Sequence, residues 1–199
     1  MQGSLFPDED ARAGSPAAPW APGTVFTIGH STHAITAFIA LLRGAGIELL
    51  ADVRSIPRSR RHPQFNSEAL PGPLAKAGIA YRHLGALGGR RHRPADAPPS
   101  PNLLWQNDAF RNFSDYALGE AFRAGLDEFR LLAQAQPSAL MCAEALWWRC
   151  HRRIIADHLL VLGLPVVHIL ASGKTEVARL TPGAVAGPRG PVYPLGECP

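Results

Sequence analysis

The feature that most constrains the fold of this chain is an alternation of short apolar runs with stretches of helical spacing. The runs predict five strands, at residues 24–29, 47–53, 79–84, 138–142 and 165–170. The stretches between them predict helices near residues 37–42, 67–77, 114–135 and 144–162. Strand, helix and strand at such short spacing imply right-handed crossovers and parallel strands. The predicted fold class is therefore α/β: a compact, Rossmann-like or flavodoxin-like three-layer domain with a mostly parallel sheet of about five strands and helices on both faces.

Segments rich in proline and glycine flank this alternation. Residues 1–23 have no hydrophobic period and are predicted to be a disordered N-terminal arm. Residues 172–199 are predicted to be an irregular, Pro/Gly-rich C-terminal tail with a short strand near Val192. The α/β domain is thus predicted to span residues 24–171.

Several classes of protein are excluded by simple counts. No apolar run approaches the ~20 residues that cross a bilayer, so no membrane partner is expected. Acidic residues stand near the N-terminus where an export signal would be basic, and three cysteines are too few for a disulfide scaffold. A cytoplasmic location is expected, and the sequence indicates no particular oligomeric state.

Positive charge is concentrated in one part of the chain. Residues 54–93 contain eight Arg and one Lys against a single acid, Glu68. Arginine forks onto phosphate and carboxylate groups, so the clustering favours an anionic partner: a nucleic acid or a phosphorylated small molecule. The alternative is a solvated face in a chain that simply favours Arg over Lys.

The residues that follow the predicted strands are candidates for a site, because the carboxyl ends of parallel strands share one edge of the sheet. The first two strands place polar and basic residues there: His30, Ser31, Asp52, Arg54, Ser55, Arg58, Arg60 and Arg61. Two alternatives, in which these residues have purely structural roles, stay open. His30 and Ser31 could belong to a helix cap, and Asp52 with Arg54 could be a structural ion pair.

The richest segment is 141–153, which compresses two thiols, an acid, two indoles, an imidazole and three guanidinium groups into thirteen residues. A helix from residue 144 would place Glu144, Trp148 and His151 on one stripe and Cys150 on the opposite side, as an inert packed thiol. Cys142 would lie near the helix N-terminus, where the pKa of a thiol is lowered, although a small buried hydrophobe is the commoner role of a free cysteine.

No cofactor is expected from motifs. The chain has neither a P-loop nor a dinucleotide-binding glycine fingerprint. The spacing of Cys142, Cys150 and His151 is uncommon for zinc, and the helical prediction turns the two cysteines apart, so no metal is predicted.

Together these motifs resemble the bacterial and archaeal family called domain of unknown function 488 (DUF488). The resemblance is carried by residues 27–31, 52–54, 57–65, 87–89, 141–144 and 150–152. It implies a compact α/β fold over about residues 24–171 and implies no particular reaction.

Three functions fit these residues. The first is an enzyme of hydrolase or glycosylase type acting on a nucleic acid or nucleotide, as in DNA repair, with Glu144 or Asp52 activating water and His30 or His151 as the acid. The second is a cysteine-dependent enzyme acting on a small anionic metabolite, with Cys142 as nucleophile. The third is a non-catalytic module that binds an anionic ligand. In the first function the substrate-binding residues are Ser31, Arg54, Ser55, Arg58, Arg60, Arg61, Trp148 and Arg152.

Overall fold

The computed structural model describes residues 20–196. Its helices are α1 (Ile35–Gly44), α2 (Pro71–Lys76), α3 (Asp108–Ala117), α4 (Glu120–Ala135) and α5 (Arg152–Val161). Its strands are β1 (Val25–Gly29), β2 (Leu49–Asp52), β3 (Ala80–His83), β4 (Ser138–Cys142), β5 (Val166–Ile169), β6 (Thr175–Val177), β7 (Val185–Gly187) and β8 (Gly190–Val192).

A six-stranded sheet forms the centre of the molecule, in the order β3-β2-β4-β1-β5-β6. The first five strands are parallel, and β6 pairs antiparallel with β5 at one edge. The predicted α/β class, with a mostly parallel sheet and helices, is confirmed. β7 and β8 form a separate two-stranded hairpin.

Side chains that alternate along the strands divide the core into two layers. In β4, Leu140 and Cys142 pack with residues of α3, α4 and α5, whereas Ala139 and Met141 pack with residues of α1 and α2. All five β4 residues are buried, as expected of a strand covered on both faces. Cys142 therefore ends a central strand on the side of α5.

The chain beyond residue 171 packs against the domain. β6 extends the main sheet, and the fully buried Tyr193 donates a hydrogen bond from its hydroxyl to Asp157 in α5 at 2.8 Å. Residues 172–196, predicted as an irregular tail, thus contain three short strands. Most of the predicted N-terminal arm, residues 1–19, lies outside the described residues, and Trp20 packs edge-on against Phe26.

Two helices differ from their predicted form. The helix predicted over 114–135 is two helices, of which the first begins earlier, at Asp108, because the chain turns at Leu118 and Gly119 before α4 begins. The helix predicted from residue 144 begins only at Arg152; before it lies a single 3₁₀ turn, Trp147–Arg149. Within residues 20–196, no helix combines the length and the apolar character that crossing a membrane requires.

Candidate functional site

Three neighbouring strands end together and position the candidate site. β4 lies between β2 and β1, with Met141 opposite Asp52 and Cys142 opposite Gly29. The pairing continues past the strand ends, since the amide of His30 donates to the carbonyl of Cys142 at 2.9 Å. The loops after β1, β2 and β4 are thereby held side by side at the edge of the sheet where open α/β folds bind their ligands.

A cleft of about 570 Å³ opens at this edge. That volume falls within the range of small-molecule sites. The predicted site residues that line it are His30, Ser31, Arg54, Ser55, Arg58, Cys142, Glu144 and His151. Those that do not line it are Asp52, Arg60, Arg61, Trp148 and Arg152.

At one wall of the cleft, Cys142, Glu144, Cys150 and His151 form a compact group, here called the thiol cluster. Their donor atoms all lie within 4.8 Å of one another. Both thiols approach one carboxylate oxygen, Glu144 Oε2, at 2.7 Å from Cys142 and 3.2 Å from Cys150. His151 Nδ1 lies 3.9 Å from Cys142 Sγ and 3.6 Å from Cys150 Sγ. Thiolate, imidazole and carboxylate are donors that borderline divalent metals accept, so these four residues could hold one.

The imidazole of His151 is fixed by contacts outside the cluster. Its Nε2 lies 3.1 Å from the carbonyl of Val53, and Phe113 packs against the ring with centroids 4.9 Å apart. Because a carbonyl can only accept, Nε2 carries the proton and Nδ1 presents its lone pair to the thiols. Gly89 permits this position, since a Cβ there would lie 2.5 Å from Nδ1.

A buried arginine supports the cluster from behind. Arg152 is 1% exposed, and its Nε donates to Cys150 Sγ at 3.3 Å while Nη2 donates to the carbonyl of Glu144 at 2.5 Å. Within residues 20–196 it makes no salt bridge with a carboxylate. A buried guanidinium requires a counter-charge, and the sulfur of Cys150 is placed to supply it.

The two thiols consequently differ in acidity. Burial opposes ionisation of Cys150, but the adjacent Cys142 thiol, the charge of Arg152 and the contact with His151 lower its pKa well below the usual value. The proximity of Cys150, burial and the Glu144 carboxylate raise the pKa of Cys142. The predictions that Cys150 projects away as an inert thiol and that Cys142 has the lowered pKa are both wrong. They fail because the chain at residues 143–151 does not form an α-helix.

His30 follows β1, next to the end of β4, and has both ring nitrogens occupied. Nδ1 lies 3.0 Å from the carbonyl of Ser31, and Nε2 lies 3.3 Å from Arg54 Nη1. Burial, with the charge of Arg54, lowers its pKa to about 4, so the ring is neutral near pH 7. Ser31 has φ 46°, a left-handed conformation that costs a non-glycine residue roughly 1–3 kcal/mol and is typical of functional sites.

A family model with the description "Domain of unknown function DUF488" matches residues 34–159, well over half of the 199-residue chain. The chain belongs to the DUF488 family. Searches of the curated proteins and of the solved structures return no match. The thiol cluster, Arg54 and Gly89 lie inside the DUF488 match, whereas His30 and Ser31 immediately precede it.

In this DUF488 protein Asp52 and Arg54 form a buried ion pair, the structural alternative that the sequence left open. Arg54 Nη2 lies 2.6 Å from Asp52 Oδ2, and Asp52 is fully buried. Tyr81 from β3 donates to the same oxygen at 2.8 Å, and Arg54 also donates to the carbonyl of Phe65 at 2.6 Å. This network holds the loop after β2 in place, and Asp52 has no access to the cleft.

Other predicted substrate contacts lie elsewhere on the surface. Arg60 and Arg61 are exposed and outside the cleft, and Arg58 lines it while paired with Glu68. Trp148 is 44% exposed and packs on Trp147, which is itself stacked on His168. The structure does not bring either indole into the cleft.

Sequence reasoning did not select several of the residues that line the cleft, among them Arg90, Arg149 and Cys150. Of these, Cys150 was the easiest to predict from the sequence, because a cysteine next to a histidine can serve as a metal-ligand pair or an acid–base pair. It was not selected because a continuous helix was assumed, which would turn Cys150 away from the site. Nothing in the local pattern distinguishes Arg90 or Arg149 from the other arginines.

Proposed function

We propose that the protein is an enzyme that hydrolyses a nucleotide or a similar small phosphorylated compound in this cleft. The observation that carries the proposal is an exposed carboxylate, Glu144 of the thiol cluster, that lines the same cleft as four arginines. The proposal keeps the hydrolase expectation and favours a nucleotide over a nucleic acid polymer.

The charge of the cleft supports an anionic substrate. Of the four arginines that line it, Arg54 is paired with Asp52 and Arg58 with Glu68. Arg90 and Arg149 make no salt bridge in the described part of the chain. Their charges are therefore available to a phosphate. The amide of Arg90 donates to the hydroxyl of Ser55 at 2.9 Å, which fixes its backbone beside the cleft.

The size of the cleft supports a small substrate. At about 570 Å³ it accommodates a nucleotide-sized molecule. Proteins that hold single strands present aromatic platforms on which successive bases stack. Trp147 and Trp148, the residues suited to that role, lie outside the cleft, so the observed surface favours a compact ligand.

Glu144 is the group suited to activate water. Only its Oε2 is engaged by the thiols, and Oε1 has no hydrogen-bond partner among residues 20–196. In the proposed step Glu144 takes a proton from water as the water oxygen bonds to the electrophilic phosphorus or carbon. The bond to the leaving group breaks, and the leaving group takes up the proton that Glu144 received from the water. Arg90 and Arg149 hold the phosphate, and His30 and Ser31 line the same cleft.

The test is turnover of a panel of nucleosides, nucleotides and short single- and double-stranded oligonucleotides, followed by chromatography of the products. We expect hydrolysis of a nucleotide, and a fall of about 100-fold or more in kcat for Glu144→Gln. The matched control is Glu48→Gln, at the opposite end of β2, which should leave kcat unchanged. Absence of turnover on every compound would reject the proposal, and tight binding without turnover would favour a binding module.

A second candidate, a cysteine-dependent enzyme, is favoured by one observation: the contact between Arg152 and the sulfur of Cys150. In this function Cys150, rather than the predicted Cys142, would be the nucleophile. Intact-mass analysis during turnover distinguishes the two functions. A covalent adduct on Cys150 would support the second candidate, and its absence during steady turnover would support water as the nucleophile.

A further inference from the structure

We infer that Cys142, Cys150 and His151 form a binding site for a thiophilic divalent metal ion, Zn²⁺ foremost, at the wall of the cleft. The inference goes beyond the proposed hydrolysis and does not depend on it, because metal binding is measured without substrate. It also replaces the prediction that the chain binds no metal.

The distances within the cluster suit a tetrahedral ion. With zinc–sulfur bonds of about 2.3 Å and zinc–nitrogen bonds of about 2.0–2.1 Å, neighbouring ligand atoms lie roughly 3.5–3.8 Å apart. His151 Nδ1 is 3.6 Å from Cys150 Sγ and 3.9 Å from Cys142 Sγ. The carboxylate oxygen of Glu144 is closer than this to both sulfurs, at 2.7 and 3.2 Å. Both sulfur–nitrogen distances therefore have the spacing of ligands, and all the donor atoms lie within 4.8 Å of one another, with Glu144 beside them.

The surroundings of these three residues are those of metal ligands. Histidines that ligate a metal through one nitrogen donate the other N–H to a carbonyl or carboxylate, and His151 Nε2 meets the carbonyl of Val53 at 3.1 Å. The buried Arg152 donates to Cys150 Sγ, as expected if that sulfur is a thiolate. A packing role for two thiols and an imidazole explains neither contact.

The position of the cluster indicates a reactive site rather than a structural one. All three residues and Glu144 line the cleft, so the fourth coordination position faces the space that a substrate would enter. Structural zinc sites instead close their coordination with four protein ligands. An ion here would place a Lewis acid beside the phosphate held by Arg90 and Arg149.

The first test is cobalt substitution of the purified full chain. We expect one equivalent of Co²⁺ to bind, with a sulfur-to-metal charge-transfer band and the visible spectrum of a tetrahedral ion, and Zn²⁺ to displace it. Cys142→Ser, Cys150→Ser and His151→Gln should each lower the affinity at least about 100-fold, the upper end of the range for loss of a supporting contact. Cys198→Ser, at a cysteine outside the described residues, and His62→Gln, at a histidine of the cleft outside the cluster, should bind Co²⁺ like the original chain.

A second measurement needs no variant that might fail to fold. Zn²⁺ should protect Cys142 and Cys150 of the original protein from alkylation, as followed by peptide mass spectrometry, and leave Cys198 reactive. Equal alkylation of all three thiols with and without Zn²⁺, or a spectrum without sulfur charge transfer, would overturn the inference. So would a Cys142–Cys150 disulfide that forms readily in the presence of excess Zn²⁺. Metal binding without hydrolysis would leave the inference standing and reject only the proposed function.

Discussion

At the scale of single residues, the unusual feature is a buried cation that touches a thiol and, within residues 20–196, pairs with no carboxylate. Arg152 is 1% exposed and touches Cys150 Sγ and the carbonyl of Glu144. It thus couples the charge of the thiol to the backbone position of the carboxylate that we propose as the base. One residue behind the cleft wall thus contributes both to the acidity of Cys150 and to the position of Glu144.

Arg152→Lys should therefore raise the pKa of Cys150 toward its ordinary value. Lysine keeps the charge but loses the fork that reaches sulfur and carbonyl together, so the pH midpoint of alkylation should rise. The loss of a buried hydrogen bond to Glu144 should also cost about 1–3 kcal/mol of the free energy of unfolding. The measurement is the rate of Cys150 alkylation against pH in chelator-treated protein. Arg153→Lys is the matched control, and identical pH profiles for the two variants would contradict this role of Arg152.

Gly89→Ala tests whether His151 is held as tightly as its contacts indicate. The new Cβ would fall 2.5 Å from Nδ1, so the ring or the loop must shift, at a cost of about 1–3 kcal/mol in the free energy of unfolding. Gly44→Ala, at the end of α1, meets nothing within 4 Å and should be neutral or slightly stabilising. Urea unfolding of both variants gives the comparison. Equal stabilities would show that His151 has room to move.

At this scale, many residues of the candidate site could be predicted from the sequence. His30, Ser31, Cys142 and Glu144 were selected because they follow predicted strands, and such residues converge whatever the strand order. Cys150 was not, since its position depends on a local backbone conformation that no periodicity specifies. The lowered pKa of Cys150 depends in part on Arg152, whose contacts with Cys150 and Glu144 exist only in the folded connection between β4 and α5.

At the scale of elements, the conformation of the connection between β4 and α5 determines where the residues of the thiol cluster lie. The amide of Ser31 donates to the carbonyl of Ala143 at 2.9 Å, which ties this connection to the end of β1. A Cβ on Gly29 would collide with the carbonyl of Glu144, so the close crossing requires glycine there. The apolar pattern of residues 144–162 favours a helix throughout, but these tertiary contacts hold its first eight residues out of helical geometry.

The Asp52–Arg54 pair holds the loop after β2 in position, and Asp52→Asn tests how much this pair stabilises the fold. Asp52 also accepts from Tyr81, so its carboxylate links β2 to β3. Removing the charge leaves a buried guanidinium unpaired, and the free energy of unfolding should fall by about 3–5 kcal/mol. Glu68→Gln breaks the exposed, solvent-screened pair with Arg58 and should leave the free energy of unfolding nearly unchanged. Chemical unfolding of the two variants checks both values; a stable Asp52→Asn protein that lacked only turnover would instead favour Asp52 as a catalytic base.

At the scale of the whole molecule, three neutral histidines are buried in different parts of one structure. His168 in β5 accepts or donates a 2.8 Å hydrogen bond with the hydroxyl of Thr27 and stacks on Trp147. His158 in α5 packs against Phe122, and a Cβ on Gly190 of β8 would lie 2.2 Å from it. His30 joins the loop after β1 to the Arg54 network. An uncharged imidazole is thus buried in the sheet, in the helical layer next to the C-terminal hairpin, and at the site.

This distribution predicts that mild acid destabilises the entire fold. Burial lowers the pKa of His158 and of His168 to about 4, as it does for His30. The unfolded chain takes up protons near pH 6.5 and the folded chain does not, so stability is complete above pH 6.5 and is lost as the pH falls toward 4. Between pH 7 and pH 5 each buried ring should lower the free energy of unfolding by up to about 2 kcal/mol, a large share of the roughly 5–15 kcal/mol typical of a domain.

Urea unfolding at the two pH values measures this loss of stability. The double variant His158→Gln/His168→Gln should remove about two thirds of it, whereas His92→Gln, at an exposed histidine, should leave it unchanged. A pH dependence that survives the double variant in full would place the acid sensitivity elsewhere, in the carboxylates rather than in the buried rings.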